Sequence, residues 1–586
     1  VSTPLRRART VLPLVTALTV TALTVTALVV SGCAGSRQPE TPAAPGSAPS
    51  SPTAAAATPS PDPAARAAQL AGTLADEDLV GQVLMPYAYG NSATKVSGGS
   101  AAGNRKLAGV ETPAEMIAKY RLGGLILVGF SADDPTSDTQ PTTNVDNPAQ
   151  VRELTAGLQA AAGKLPAGAA GAAGALIGID QEFGVVTRIS EGVTNLPSPM
   201  AFGAAGDPAL TESAWRAAGT ELAALGVNVD FAPSADVLEA NSKVIGSRSY
   251  GSDPKAAAAQ VGAAVRGLQD AGVGATLKHF PGHGQTAADS HKGLPVVTAD
   301  RKKLESTALP PFAAGIDAGA WLVMAGHLDV RAVDPGVPAT FSRKLLTDVL
   351  RGQLKFTGVL VTDAMDMAAV AKQPPGTTAV RALNAGNDLV LMPPNVTEAY
   401  DGVLAALRDG SLPRARLLEA VTRVLTLKFR LAGQPRPEMG TVNSAGHQEA
   451  ARRAAAASVT LLRGNCAGPL LTGPVTVTAA GGRERSRDRL KEALRAAGVR
   501  VTPSGGAVVH LVGYGDGTGD LRAGAAVTVA MDTPYLLGRA GSKVLLATYS
   551  STPAALTALA DVLAGRARPT GRSPVPVGKL PRTTCS

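Results

Sequence analysis

Between residues 66 and 436, eight short, mainly apolar runs alternate with stretches patterned as helices, and this alternation limits the fold more than any other feature of the chain. The runs lie at 80–85, 124–128, 175–179, 227–231, 275–277, 322–325, 359–362 and 389–392. Runs of three to six residues suit strands buried on both faces. Stretches 208–225, 254–271, 301–318 and 342–354 read as helices between them, the last opened by Ser342 as an N-cap. Eight strands alternating with helices is the count of a (β/α)8 TIM-type barrel. A doubly wound open sheet is the alternative architecture.

Five of these runs end on an ionisable residue. Asp180, Asp230, Lys278 with His279, His327 and Asp363 all lie at or just after a run. Side chains at the C-terminal ends of barrel strands point into the mouth of the barrel, where such folds keep their chemistry. A single one could be a turn cap or an ion-pair partner; five in series point to a site.

The remainder of the 586 residues needs more than one domain. Residues 437–450 read as a polar linker. Residues 451–586 read as a smaller α/β sandwich, with strands expected at 475–479, 508–512, 526–530 and 544–548 and a helix at 485–497. The glycine-rich stretch 513–520 lacks a P-loop lysine and reads as a surface loop. Aromatic residues make up only 3%, so aliphatic side chains must build the cores.

The N-terminus reads as a targeting segment. Arg6, Arg7 and Arg9 precede an apolar stretch at 11–30, followed by Val30, Ser31, Gly32 and Cys33. This resembles a bacterial lipobox, which implies a signal peptide over 1–32 and lipidation at Cys33. An ordinary transmembrane anchor is the alternative; Arg6 and Arg7 fit a twin-arginine signal poorly. Residues 33–65 are rich in Pro, Ala, Ser and Thr and read as a flexible tether. The chain is therefore expected outside the cytoplasm, held to the membrane through Cys33. Cys466 and Cys585 remain, and in an exported protein they suggest one disulfide. The formal charge of +9 reads first as a solvated surface, with attraction to an anionic envelope as the sharper alternative. No nucleic-acid motif is present.

Chemistry concentrates in 278–295, KHFPGHGQTAADSHKGLP, which holds three of the six histidines. Two prolines and several glycines make most of it a loop. Asp289 and His291 stand two residues apart, so an extended segment puts both side chains on one side. A carboxylate beside an imidazole fixes its tautomer and favours its protonated form. Asp363, a carboxylate at a strand end, can serve as a nucleophile or a charge stabiliser; as a nucleophile, with His291 as proton donor and acceptor, it completes the minimum for two-step displacement at an acetal. The rival is metal hydrolysis through His279, His283, His291, His327 and Asp363. Against it, Pro281 and Gly282 separate His279 from His283, so the pair does not share a regular helix face. No metal or cofactor is expected.

These residues carry a resemblance. KHFPGHG followed by Asp-Ser-His is similar to the signature loop of glycoside hydrolase family 3, in its bacterial β-N-acetylglucosaminidase branch. Residues 180–182 (DQE) with Arg188 resemble that branch's DQEGGxVxR segment. Stretches 228–233 (NVDFAP), 245–251 (IGSRSYG), 338–367 and 385–393 match further motifs in order. The resemblance implies a retaining exo-β-N-acetylhexosaminidase on a TIM-type barrel. It makes Asp363 the nucleophile, His291 the acid/base and Asp289 its orienting partner. It places sugar contacts at Asp180, Arg188, Arg248, Lys278 and His279, and makes terminal β-GlcNAc of muropeptides or chitooligosaccharides the substrate. A phosphorylase on the same scaffold and a catalytically silent sugar-binding lipoprotein are the competing readings; the oligomeric state stays open. Two positions depart from the pattern. Phe183 stands where the first glycine is expected, and would either reshape the pocket edge or pack; Gln285 replaces a common Asp. His283 is expected to brace the loop, and His327 and Asp366 to stand behind the reacting groups.

Overall fold

Short strands form where the apolar runs can be buried on both sides. In the computed structural model, the described residues are 62–585 apart from 130–141, 167–170, 240, 241, 243, 287, 468 and 469. The expected signal peptide, Cys33 and nearly all of the tether lie outside them. Strands β1 (Leu84–Met85), β2 (Gly124–Leu127), β3 (Leu176–Ile179), β4 (Val229–Asp230), β5 (Gly274–Phe280), β6 (Leu322–Ala325), β7 (Val359–Thr362) and β8 (Val390–Leu391) follow the eight runs. Every residue in them is buried.

Strands β2 to β7 form one parallel sheet in chain order, and β1 pairs in parallel with β8. The sheet curls until its edges meet that pair. Ile126 N donates to Pro86 O at 3.0 Å beyond β1, and Thr362 N donates to Leu389 O at 3.0 Å before β8. The inside of the curl is packed solid. A Cβ on Gly178 of β3 would lie 2.6 Å from Met85 Cε and 2.7 Å from Phe231, so only glycine fits there.

The helices between strands start with a repeated local device. Asn147, Asp207 and Asp253 each precede a proline that opens a helix, at Pro148–Gly163, Pro208–Ala224 and Pro254–Asp270. Asp207 Oδ1 accepts from Ala209 N at 2.9 Å and Leu210 N at 3.2 Å, satisfying donors the first turn leaves free. The same device sets Asp62 before the helix Pro63–Thr73. The first apolar run departs from expectation: residues 76–82 are a helix, and only Leu84 and Met85 are strand. Asp76, Glu77 and Asp78 supply acids to that helix's first turn, and apolar periodicity alone does not separate a buried helix from a buried strand in so short a run.

Beyond residue 436, strands β9 (Thr460–Arg463), β10 (Val475–Ala479), β11 (Ala507–Val512), β12 (Val527–Ala530) and β13 (Val544–Ala547) form a second sheet of order β9-β13-β12-β11-β10. All neighbours are parallel except β9 with β13. Helices Glu484–Ala496 and Pro553–Leu563 share one hydrophobic cluster with one face of this sheet. Its other face shares a cluster with Met200, Ala201, Leu238 and Ile245 of the first part of the chain. The stretch expected as a polar linker is helical from Ala445, and its His447 Nδ1 lies 2.9 Å from Glu221 Oε1. In the glycine-rich loop, Gly513 N and Gly517 N donate to Asp516 and Asp520 at 2.6 and 2.8 Å, so its own acids occupy those donors.

Cys466 and Cys585 are bonded, with their Cα atoms 5.5 Å apart across 119 positions of sequence. A cross-link of that span restricts the unfolded chain by about 2–4 kcal/mol. Cys585→Ser is therefore expected to lower the thermal midpoint under oxidising conditions while leaving turnover intact; an unchanged midpoint in calorimetry would show that the bond does not stabilise the fold.

Candidate active site

Three of the five strand exits deliver ionisable side chains to one pocket, whereas Asp230 and His327 are fully buried and outside its lining. Asp180 follows β3, Lys278 and His279 lie within β5, and Asp363 follows β7. Asp180, Arg188, Arg248, Lys278, His291 and Asp363 all line it. The structure thus brings together every sugar-contact and reacting residue expected above, except that Asp289 touches the pocket only through His291. Cys466 and Cys585 lie in the C-terminal sheet region instead.

Glu182 holds the pocket floor, and the sequence reading passed over it. Its carboxylate accepts two hydrogen bonds from Arg248, at 2.7 Å from Nε and 2.8 Å from Nη2. It also lies 2.7 Å from Lys278 Nζ, which reaches Asp180 Oδ1 at 2.6 Å. Arg188 stands 3.5 Å from the other oxygen of Asp180. Burial alone would raise the pKa of Glu182, but Arg248 and Lys278 overcome it and lower the value to about 2. Burial would likewise neutralise Lys278, yet Asp180 and Glu182 hold it above the usual lysine range. The result is a buried lattice of alternating charge whose outward donors and acceptors suit a polyhydroxylated ligand. Its DQE position was the available signal: Glu182 sits two residues beyond a strand-end acid, in a hairpin with 186–187.

Asp236 is the second residue missed. Its Oδ2 lies 2.8 Å from His279 Nδ1, so that nitrogen carries the hydrogen and Nε2 faces Arg248 Nη2 at 3.3 Å. Its Oδ1 accepts from His283 N at 2.6 Å. His283 thereby braces the loop through its backbone. Its ring sits edge-on to His279 with centroids 5.8 Å apart, and neither ring nitrogen has a hydrogen-bond partner among the described residues.

Asp363 Oδ1 accepts from Ala364 N at 2.8 Å. Burial would raise its pKa, but His279 and that N–H hold it below the usual carboxylate range, so it is ionised at neutral pH. His327 Nε2 lies 2.9 Å from the Ala364 carbonyl and therefore donates, while Nδ1 lies 2.7 Å from Thr340 Oγ1. Burial depresses its pKa and keeps it neutral, so it fixes the strand end that carries Asp363. Asp366 is driven the other way: burial raises its pKa to about 6, with Asp363 adding to the rise. Deeper still, burial raises the pKa of Asp230 well above its ordinary value.

His291 Nδ1 lies 2.8 Å from Asp289 Oδ1, which also accepts from His291 N at 3.0 Å. A carboxylate can only accept, so Nδ1 donates and Nε2 is left as the proton-exchanging nitrogen. Burial raises the pKa of Asp289, and its bonds to His291 more than reverse that.

The two departures resolve differently. Phe183 takes φ +64°, the left-handed conformation that glycine adopts freely, and its ring is 2% exposed against Trp215 with centroids 5.5 Å apart. It packs behind the site and does not line the pocket. The Gln285 side chain has no hydrogen-bond partner among the described residues. Among the described residues, no three His, Cys, Asp or Glu side chains gather as a metal site.

A family description, "Glycosyl hydrolase family 3 N terminal domain", matches residues 78–427. Beta-hexosaminidase A of Pseudoalteromonas piscicida is 37% identical over 350 residues, 54% of this chain and 55% of that protein. This chain thus spans about half the length of that relative. Beta-hexosaminidase of Chromobacterium violaceum is 36% identical over 335 residues, 56% of this chain and 88% of that protein. Among solved structures, a glycoside hydrolase family 3 beta-N-acetylglucosaminidase from Paenibacillus sp. str. FPU-7 superposes with a TM-score of 0.72 at 33% identity, covering 86% of this chain and 99% of that one.

The buried ring of His283 gives a pH signature. Burial lowers its pKa to about 4 against about 6.5 unfolded, so the unfolded chain binds the extra proton first. Stability is expected to fall as pH drops from about 6.5 to about 4, by up to about 3 kcal/mol from this group. His283→Gln should flatten that part of the profile in urea titrations; an identical slope would mean that folding does not lower the pKa of the ring.

Proposed function

The chain belongs to glycosyl hydrolase family 3, and from that membership we propose that it is a retaining exo-β-N-acetylhexosaminidase acting on terminal β-linked GlcNAc. The observation that carries this reading is the meeting, in one pocket, of an ionised Asp363, an Asp289-tethered His291 and the Lys278–Glu182–Arg248 lattice. The curled parallel sheet with its β1–β8 pair is read as a (β/α)8 barrel, and the pocket then lies at its C-terminal face.

In the proposed reaction, Asp363 attacks the anomeric carbon as His291 Nε2–H protonates the departing glycosidic oxygen. A glycosyl ester on Asp363 results, and His291 is left neutral. His291 then takes a proton from water, whose oxygen attacks the anomeric carbon and releases Asp363. Asp289 fixes the tautomer of His291 and keeps Nε2 facing the reaction in both steps. Asp180, Lys278, Arg248 and Arg188 hold the sugar hydroxyls and acetamido group, and the fixed charges place the ring so that the two reacting groups meet it on opposite sides.

Asp363→Ala is expected to lower kcat on an aryl β-GlcNAc by about 10³-fold or more. A 2-fluoro sugar should label Asp363, and labelling of another residue would overturn the nucleophile assignment. His291→Ala should slow substrates with poor leaving groups far more than activated aryl glycosides; equal losses would argue against proton transfer by His291. Repeating turnover with phosphate decides the reaction class, since GlcNAc-1-phosphate as sole product would make the protein a phosphorylase.

We further read the N-terminus as a lipoprotein signal, with Cys33 lipidated and residues 34–64 as a tether that would let the pocket reach muropeptides outside the membrane. Metabolic labelling with palmitate should mark the wild-type protein and not Cys33→Ser; label retained in the variant would place the anchor elsewhere.

A further inference from the structure

We infer that Asp532, carried by the C-terminal sheet, is a positioning residue for Arg248, so that the second half of the chain takes part in binding the sugar. The inference rests on the proposed hexosaminidase reading, in which Arg248 is a sugar contact.

Arg248 ends a single helical turn, Gly246–Arg248. Its guanidinium is held by Glu182 and by the Val244 carbonyl at 3.1 Å. Those bonds set the tip of a long side chain; the backbone must be placed separately. Two serines on either side of Arg248 do so. Ser249 Oγ donates to the Asp236 carbonyl at 2.7 Å, tying the turn to the residue that orients His279. Ser247 Oγ donates to Asp532 Oδ1, across 285 positions of sequence. Ser247 is 2% exposed and Asp532 8%, so this bond is shielded from water, where a lost acceptor is costly.

The same stretch is wedged against the C-terminal sheet by packing. Ile245 lines the sugar pocket and also belongs to the cluster formed with Val512, Ala530, Leu545 and Ala547. Gly246 takes φ +43°, and a Cβ there would lie 3.4 Å from Thr533 Cγ2. Asp532 and Thr533 lie just past strand β12, at the same end of that sheet. One wall of the pocket, 244–248, is thus clamped between the sugar site and the C-terminal sheet, and the buried hydroxyl–carboxylate bond fixes its register.

The test uses the full chain with Ser247→Ala, Asp532→Ala, Asp532→Asn and the Ser247→Ala/Asp532→Ala pair. Steady-state kinetics on an aryl β-GlcNAc are read beside calorimetric binding of free GlcNAc and thermal unfolding. Loss of the bond should raise KM about tenfold and weaken GlcNAc binding by a similar factor, with kcat within about threefold. Asp532→Asn, which keeps an acceptor for Ser247, should stay within about threefold of wild type in KM. The double variant should be no worse than Asp532→Ala, which already breaks the bond that Ser247→Ala deletes. A lowered thermal midpoint with KM and GlcNAc affinity unchanged would assign Asp532 to folding alone and overturn the inference. Additive effects in the double variant would overturn it as well. Ser247→Ala, which deletes one oxygen, carries the test should Asp532→Ala not fold. A wild-type protein with neither turnover nor GlcNAc binding would sink the hexosaminidase reading itself, and is told apart because every variant is then equally silent.

Discussion

Glu182 is the residue on which the site depends. It is 1% exposed, and an unpaired carboxylate there would cost several kcal/mol. Arg248 from a distant turn and Lys278 from β5 make the charge tolerable, and Glu182 does the same for both cations. Removing any one member strands the others, a loss of about 3–5 kcal/mol in such buried groups. Because Lys278 also reaches Asp180, the lattice joins β3, β5 and the 246–248 turn, and it fixes a floor of donors and acceptors before a ligand arrives.

The proposed reacting groups are held by a lighter hand. Asp363 is set by one N–H and by His327 bonded to the carbonyl of the next residue. His291 depends on Asp289, and both are partly exposed on a loop. The contrast fits the tasks proposed for them. Sugar contacts gain from being immobile, since pre-set donors lose no freedom on binding. A proton carrier must face first a departing oxygen and then a water, so a carboxylate tether that fixes its tautomer suffices.

Sequence patterning made much of this readable. The eight apolar runs became eight parallel strands because burial on both faces leaves a run little else to form. The runs at 322–325, 359–362 and 475–479 became strands with those same bounds. The first run misled, since its helix is buried as fully as a strand would be. Strand β9 was missed because Thr460 to Arg463 pairs antiparallel at a sheet edge with a break in register, and leaves too short a signal. At the site, Glu182 and Asp236 were passed over because their importance lies in partners 43 to 96 positions away.

The sequence by itself determined the alternation of strand and helix, the acids and bases at strand ends, and the Asp289–His291 spacing, because each is a local property of a few neighbouring residues. Tertiary structure decided the rest. Only packing turned Phe183 away from the pocket despite its left-handed backbone, and only the surroundings in space lowered the pKa of Glu182, beside Arg248 and Lys278, while burial raised that of Asp230. Only the fold set Asp532 beside Ser247. The physical reason is common to all three: desolvation and Coulomb attraction depend on what surrounds a group in space, and the chain order does not record it.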